Sequence, residues 1–568
     1  MNTLYFGDNL EVLRESIADR SVDLVYLDPP FNSGANYNII FQPEKKSAAK
    51  ATAQIQAFED TWTWSAEADE TYRRFVIDRD LTRDPPGERL IKLMTSMREY
   101  LGETPMMAYL TMMAPRLLEL RRVLKDTGSI YLHCDSTASH YLKMLMDGIF
   151  GVENCRNEIV WQRTSAHNEY SRFGRNTDRL LFYAVSSAST FNTVFLSYDE
   201  SYVESFYRYT DANGRYRLGD LTGAGLRNGE SGLPWKGYNP SDAGRHWAVP
   251  GQCLAKLADP DHVAKMTVQQ KLDLLAESGF IAFSRNNTPS FKRYLSGMPG
   301  AMAQELWTDI PAIGAQAAER MGYSTQKPQA LLERIIQASS NEGDVVLDPF
   351  CGCGTAVAAA QKLNRQWVGI DITYLSIDLI AARLRKTGLV EGKDFVIHGA
   401  PADVMGAEQL AARAPFQFQY WALSRIPGAM PSDRKTGDHG VDGVLHFWDP
   451  AKASKAGKGV ISVKGTIAVN PGMVRDLAGT VDHQDADFGI LITLQEPTEG
   501  MRTEARKAGV YRYNNVREIP RLQIVSAADL FKEYLPLQLP PEEVRNGRKM
   551  TVIAEPGTDA AKGGLFGG

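Results

Sequence analysis

Cysteine is scarce in this chain: five in 568 residues, an odd number. That excludes a disulfide framework and points to a reduced, cytoplasmic protein. Cys351 and Cys353 stand two apart in a Gly-rich stretch, with no second cysteine pair and no histidine cluster at zinc-ligand spacing, so a metal reading there is set aside. Long apolar runs are also missing, which excludes a membrane-spanning helix. The N-terminus opens with a strand-like run rather than a basic segment and an apolar core, so no signal peptide is expected. Positive charge is not in excess either, the formal net charge being -5. A nucleic-acid partner would therefore have to be met by a local basic groove. No internal repeat is seen.

What is present is a length suited to three or four domains and enough apolar sequence, 43%, for large buried cores. Thr3–Phe6 reads as a short strand, and Leu10, Leu13 and Ile17 mark one face of the helix after it. Val22–Leu27 is nearly all apolar, as a buried parallel strand requires, and Pro29-Pro30 stops it. Residues 35–104 are polar and mixed, an excursion with short helices and a mobile part near Lys45–Thr52. Ala108–Leu124 is a helix, Ser129–His133 a buried strand, and Leu142–Ile149 a helix. After a Gly-, aromatic- and Arg-rich middle, α/β order returns. Pro328–Ser339 is a helix, Asp344–Leu347 a strand, Thr355–Leu363 a helix and Trp367–Ile370 a strand.

Two short motifs carry the chemistry. In Asp348-Pro349-Phe350-Cys351-Gly352-Cys353-Gly354-Thr355 an acid ends a strand, and glycines permit a sharp turn with a ligand close to the backbone. The helix that follows offers free N–H groups, and Asp371 ends the next strand where a carboxylate can accept from ribose hydroxyls. The spacing is not that of a dinucleotide fingerprint, and no lysine precedes Thr355 as a P-loop would need. The other motif, Asp28-Pro29-Pro30-Phe31, sets a carboxylate and a donor-less proline carbonyl at a rigid exit loop. Two acceptors suit a planar –NH2 group. Binding both hydrogens favours a more pyramidal nitrogen, whose lone pair can attack a methyl sulfonium in line. Phe31 can stack on a base.

Together these motifs resemble the β class of DNA amino-methyltransferases. Asp28–Phe31 matches the family's catalytic tetrapeptide and Asp348–Gly354 its main cofactor motif. Gln326-Lys327-Pro328 with Leu331-Leu332 matches the preceding helix, Asp371 the ribose-binding acid, and Asp8-Asn9 the adenine-end segment. The resemblance implies a Rossmann-like fold in permuted order with an inserted target-recognition region. It also implies S-adenosylmethionine as cofactor, double-stranded DNA as substrate, a base turned out of the stack, and a prokaryotic or phage-encoded protein. An aspartate at the first catalytic position implies adenine N6; cytosine N4 is the alternative. A homodimer or a restriction or defence partner accords with such a protein.

Arg163, His167, Arg172, Arg175, Asn176 and Arg179 form a polar run suited to phosphates. Arg285 and Lys292, with other Arg and Asn residues of 186–320, supply donors for phosphates and base edges, and Trp235 and Tyr238 could wedge or stack. Toward the C-terminus, Asp442 and Lys464 stand at the ends of two predicted strands. They resemble the restriction-endonuclease-like fold of the Mrr type, with Glu408 as a further carboxylate for Mg²⁺. Ser462 departs from that pattern, because serine replaces the usual acid or glutamine. The expected limits are 1–185 for the methyltransferase catalytic half and 186–320 for target recognition. The cofactor half takes 321–400, the endonuclease-like domain 401–545, and a flexible tail 546–568.

Overall fold

The computed structural model describes residues 1–30, 63–165, 173–314, 317, 319–321, 325–432, 440–452, 457–532, 534–541 and 545, and the backbone of 36–41 and 53–59. Phe31, His167, Arg172, Lys45–Thr52 and the tail from 546 lie outside the described residues. The chain forms two compact units, Met1–Asn192 with Glu305–Gly568, and Thr193–Gln304.

In the first unit a nine-stranded sheet runs in the order Leu306–Trp307, Cys155–Gln162, Thr177–Ala184, Leu124–Cys134, Val22–Leu27, Val345–Asp348, Gln366–Asp371, Asn2–Phe6, Phe395–His398. Only Thr177–Ala184 is antiparallel to its neighbours. The strand Val22–Leu27 is buried along its whole length, and its alternation sorts the two faces. Leu24 and Tyr26 join the core under the helices Gln329–Ser339, Thr355–Lys362 and Tyr374–Lys386. Val25 and Leu27 join the core under Asn9–Ser16, Pro105–Val123 and Ser139–Phe150. Asp23, the one acid in the run, is tied to Lys125 Nζ at 2.8 Å and accepts the backbone N–H of Val345 at 2.9 Å. It thereby staples the neighbouring strands, which repays the burial of its charge. The excursion after the second strand holds a 14-residue helix, Glu88–Leu101, longer than the short helices expected there. Its buried Leu90, Met94 and Met97 keep helical spacing despite the polar composition.

A second sheet of the same unit orders Met430–Pro431, Gly443–Phe447, Gly457–Lys464, Phe488–Thr493 and Leu522–Ser526, antiparallel at first and parallel thereafter. Its core is continuous with that of the first sheet: Leu4 and Phe395 belong to the same cluster as Phe418, Trp421, Phe447 and Phe488. The other unit was not assignable from pattern. It contains an antiparallel sheet, Ile281–Phe283, Pro289–Tyr294, Gly214–Asp220, Tyr209–Asp211, and a core around Trp235, Trp247, Leu272 and Leu275. The strands Phe195–Leu196 and Ala301–Met302 pair at its two ends.

Candidate active site

Parallel strands bring their carboxyl ends to one edge of a sheet, and this edge is where the sequence motifs meet. Val346 pairs with Leu24 and Leu347 with Val25, so Asp348 comes level with Tyr26 and Asp28 follows two residues on, at the same edge of adjacent strands. On the far side Asp348 pairs with Gly369 and Phe6 with Asp371. The ends of four strands thus surround a cleft of about 640 Å³. Asp8, Asn9, Asp28, Pro29, Asp348, Gly352, Thr355 and Asp371 line it, as do Lys327, Pro349 and Phe350. The volume lies in the range of small-ligand and cofactor sites.

The Gly-rich turn needs its glycines. Gly354 has φ +76°, and a Cβ there would stand 2.6 Å from Cγ1 of Ile380. Gly352, at φ +48°, donates its N–H to Asp371 Oδ2 at 2.9 Å. Asp371 Oδ1 accepts the N–H and hydroxyl of Thr373 at 2.8 and 2.7 Å. The expected ribose acid therefore also clasps the turn. Asn9 Nδ2 donates to the Pro349 carbonyl at 2.8 Å, while Asp8 caps the first helix through the Leu10 N–H and pairs with Arg116 at 2.7 Å. Arg116 also donates to Asn9 Oδ1 at 2.5 Å. Pro328 ends the approach to its helix as the N-cap residue.

Asp348 is buried, and burial pushes its carboxyl well above the usual range, reinforced by the charges of Asp28 and Asp371. Burial raises Asp371 as well. Lys327, expected on the cofactor's side, lines the cleft and also reaches the amine-handling loop. Its Nζ donates to Asp28 Oδ2 at 2.5 Å. Asp28 Oδ1 is buried and accepts no hydrogen bond among the described residues.

Next to Asp28, Tyr26 opens a buried chain that the sequence reading missed. Its hydroxyl meets His133 Nδ1 at 3.0 Å, and His133 Nε2 meets Asp178 Oδ2 at 3.1 Å. Burial opposes ionisation of Asp178, yet the His133 hydrogen bond and the nearby Lys327 and Arg163 charges bring it below the usual range. An ionised Asp178 only accepts, so in the neutral imidazole Nε2 carries the proton and the Tyr26 hydroxyl donates to Nδ1. Burial and the charges of Asp28, Asp348 and Asp178 hold the Tyr26 phenol far above its ordinary range. Arg163 reaches the outer end of this chain, 3.5 Å from Asp178 Oδ1, with its side chain 44% exposed. These partners are separated by 45 and 107 positions, so no local pattern announced them.

Arg175 and Arg285 are exposed. Lys292 is committed within its own unit to Asp211, at 2.8 Å, and lies over the Tyr216 ring. Trp235 is a core residue rather than a wedge: it is buried against Trp247 and donates to Asp273 at 3.0 Å. In the second sheet, Asp442 Oδ2 accepts the Val463 N–H at 2.6 Å and lies 3.3 Å from Ser462 Oγ. Glu408 accepts from Gln495 at 2.5 Å. Among the described residues no group of three or more His, Cys, Asp or Glu is placed to hold a metal ion.

Fold and cleft define a doubly wound α/β protein of the Rossmann-like methyltransferase class, in permuted order. The model of a DNA methylase family, the N6/N4 type, matches residues 22–381, and the chain belongs to that family. Residues 429–522 match a restriction endonuclease family of the Mrr type. The chain is 32% identical over 277 residues to the type II methyltransferase M.EcaI of Enterobacter cloacae, covering 49% of this chain and 57% of that protein. It is 26% identical to the StyLTI Mod subunit of a type III restriction-modification enzyme of Salmonella typhimurium, over 64% of this chain and 50% of that one. The chain thus spans about half the length of these curated relatives. Among solved structures, the cytosine-N4-specific PvuII DNA methyltransferase is 12% identical, covering 67% of this chain and 86% of that one with a TM-score of 0.32. No helix among the described residues is long and apolar enough to cross a membrane.

Proposed function

We propose that this protein transfers a methyl group from S-adenosylmethionine to N6 of adenine in double-stranded DNA. One observation carries the reading: Asp28 and Asp348 end adjacent strands and line one cleft, with a buried Asp28 oxygen lacking a partner among the described residues. Such an oxygen costs about 1–3 kcal/mol until a donor reaches it, so the site is built to receive an N–H group.

The cleft fits the cofactor. The Gly352–Gly354 turn and the head of the Thr355–Lys362 helix would lie against it, while Asp371, already accepting from Gly352 and Thr373, would have room for at most one further hydroxyl donor. The buried carboxylates Asp348 and Asp371 suit a cationic ligand. When bound, S-adenosylmethionine supplies an electrophilic methyl on a sulfonium. Asp28 Oδ1 and the Pro29 carbonyl hold the two amine hydrogens and aim the nitrogen lone pair. Asp28 would take up the amine proton released when the nitrogen is methylated and pass it to solvent. Adenine rather than cytosine is supported by the aspartate at position 28, through the resemblance already described. The Thr193–Gln304 unit, with exposed Arg285, is the region proposed to select the DNA sequence.

The test is methyl-free amplified DNA incubated with protein and cofactor, then sequenced with base-modification detection. N6-methyladenine in one sequence context is expected, and Asp28→Ala abolishes it while sparing cofactor binding. N4-methylcytosine would overturn the base assignment, and transfer surviving in Asp28→Ala would overturn the catalytic one.

A further inference from the structure

We propose that Lys327 is a positioning residue for the amine-handling loop: its ammonium clamps Asp28 Oδ2 so that Oδ1 alone faces the target amine. This rests on the methyl-transfer reading above. The geometry is specific. Lys327 Nζ sits 2.5 Å from Asp28 Oδ2 and 3.5 Å from the Thr325 carbonyl. The lysine side chain is 8% exposed and the aspartate 17%, so the pair is largely withdrawn from water. The other carboxylate oxygen, Oδ1, is buried without a hydrogen-bond partner among the described residues.

A free carboxylate presents two equivalent oxygens and turns readily about its last torsion, which is broad. An amine that must point its lone pair along one line cannot tolerate that freedom, since small misplacements cost large factors in rate. A cation on one oxygen removes the equivalence. It also offsets a crowded negative site, because Asp28 stands near Asp348, with Asp371 beyond it. Lys327 is 299 positions from Asp28 and arrives on the loop before the Gln329–Ser339 helix. The approach of that helix thereby sets the catalytic loop as well as the cofactor side.

The full chain carrying Lys327→Ala, Lys327→Met or Lys327→Arg tests this. Single-turnover transfer of tritiated methyl to methyl-free amplified DNA is measured, with cofactor affinity from calorimetry. We expect Lys327→Ala to lower the transfer rate about 100-fold or more, in the range for loss of one preorganised electrostatic contact. Cofactor Kd should change by less than about threefold, the mark of an interaction outside cofactor binding. Ethylammonium at millimolar concentration should restore transfer to Lys327→Ala but not to Lys327→Met, whose side chain fills the space. Lys327→Arg should retain part of the rate. Cofactor affinity lost in step with rate, without amine rescue, would make Lys327 a cofactor ligand and overturn the clamp. A Lys327→Ala rate within a few-fold of wild type would overturn it too. A wild-type protein that transfers no methyl would fail the underlying reading, which active wild type with an indifferent Lys327 variant would not.

Discussion

Asp348 shows at the residue scale how a binding site stores free energy in the empty protein. Burial first, then the charges of Asp28 and Asp371, raise its carboxyl, while the Phe350 N–H and Lys327 pull the other way. The folded form holds the proton more tightly than the unfolded one. Its contribution to stability is therefore full below the ordinary value of about 3.9 and is lost as pH rises through the raised value. Without cofactor, the thermal midpoint should fall over that window, and Asp348→Asn should flatten the fall, as a melting series against pH would show. Cationic S-adenosylmethionine should recover more of the loss than neutral S-adenosylhomocysteine. Gly354→Ala tests the turn from the backbone side. Its positive φ and the 2.6 Å approach to Ile380 predict a loss of about 1–3 kcal/mol in chemical denaturation, together with weaker cofactor binding.

Elements differ in how openly their sequences declare them. Val22–Leu27 declares a buried strand because its apolar run meets two prolines, and the turn at 352–354 declares itself through its glycines. The Glu88–Leu101 helix was understated because its exposed residues dilute the apolar spacing. The strands of the Thr193–Gln304 unit are two to seven residues long, too short for an alternation to show, and Trp235 reads as a wedge when it is core. Side-chain partners distant in the chain were not legible at all. Tyr26 with His133, Arg116 with Asp8, and Lys327 with Asp28 are set by topology. One such junction is testable at this scale. Arg122 is buried, pairs with Glu119 at 2.6 Å and donates to the Leu13 and Ile17 carbonyls, tying the first helix to the Pro105–Val123 helix. Glu119→Ala should cost about 1–3 kcal/mol in chemical denaturation, because it removes one charged partner of a buried guanidinium that keeps Asp19 and the two carbonyls. At the second sheet, Asp442 is engaged by the Val463 N–H and serine stands at 462. Plasmid DNA with Mg²⁺ should therefore survive intact, methylated or not, as a gel would read. Cleavage abolished by Asp442→Ala would reverse that view and make the protein bifunctional.

The whole molecule couples its two sheets through one core. Trp421 and Phe418 pack in the same cluster as Leu4 and Phe395, and Tyr374 N donates to Gln417 at 3.2 Å. A chain cut after residue 400 should aggregate or melt well below the full protein in scanning calorimetry, since it bares that apolar surface. The endonuclease-like region thus shares its core with the region that matches the DNA methylase family. The inserted unit is built differently. Phe195–Leu196 pairs with Ala301–Met302, and Ala303 donates to the Val194 carbonyl, so the chain enters and leaves through a two-stranded stem. A stem of that kind decouples ancestry from architecture. Residues 197–300 can therefore lengthen or shrink while the strand order of the nine-stranded sheet is left as it was.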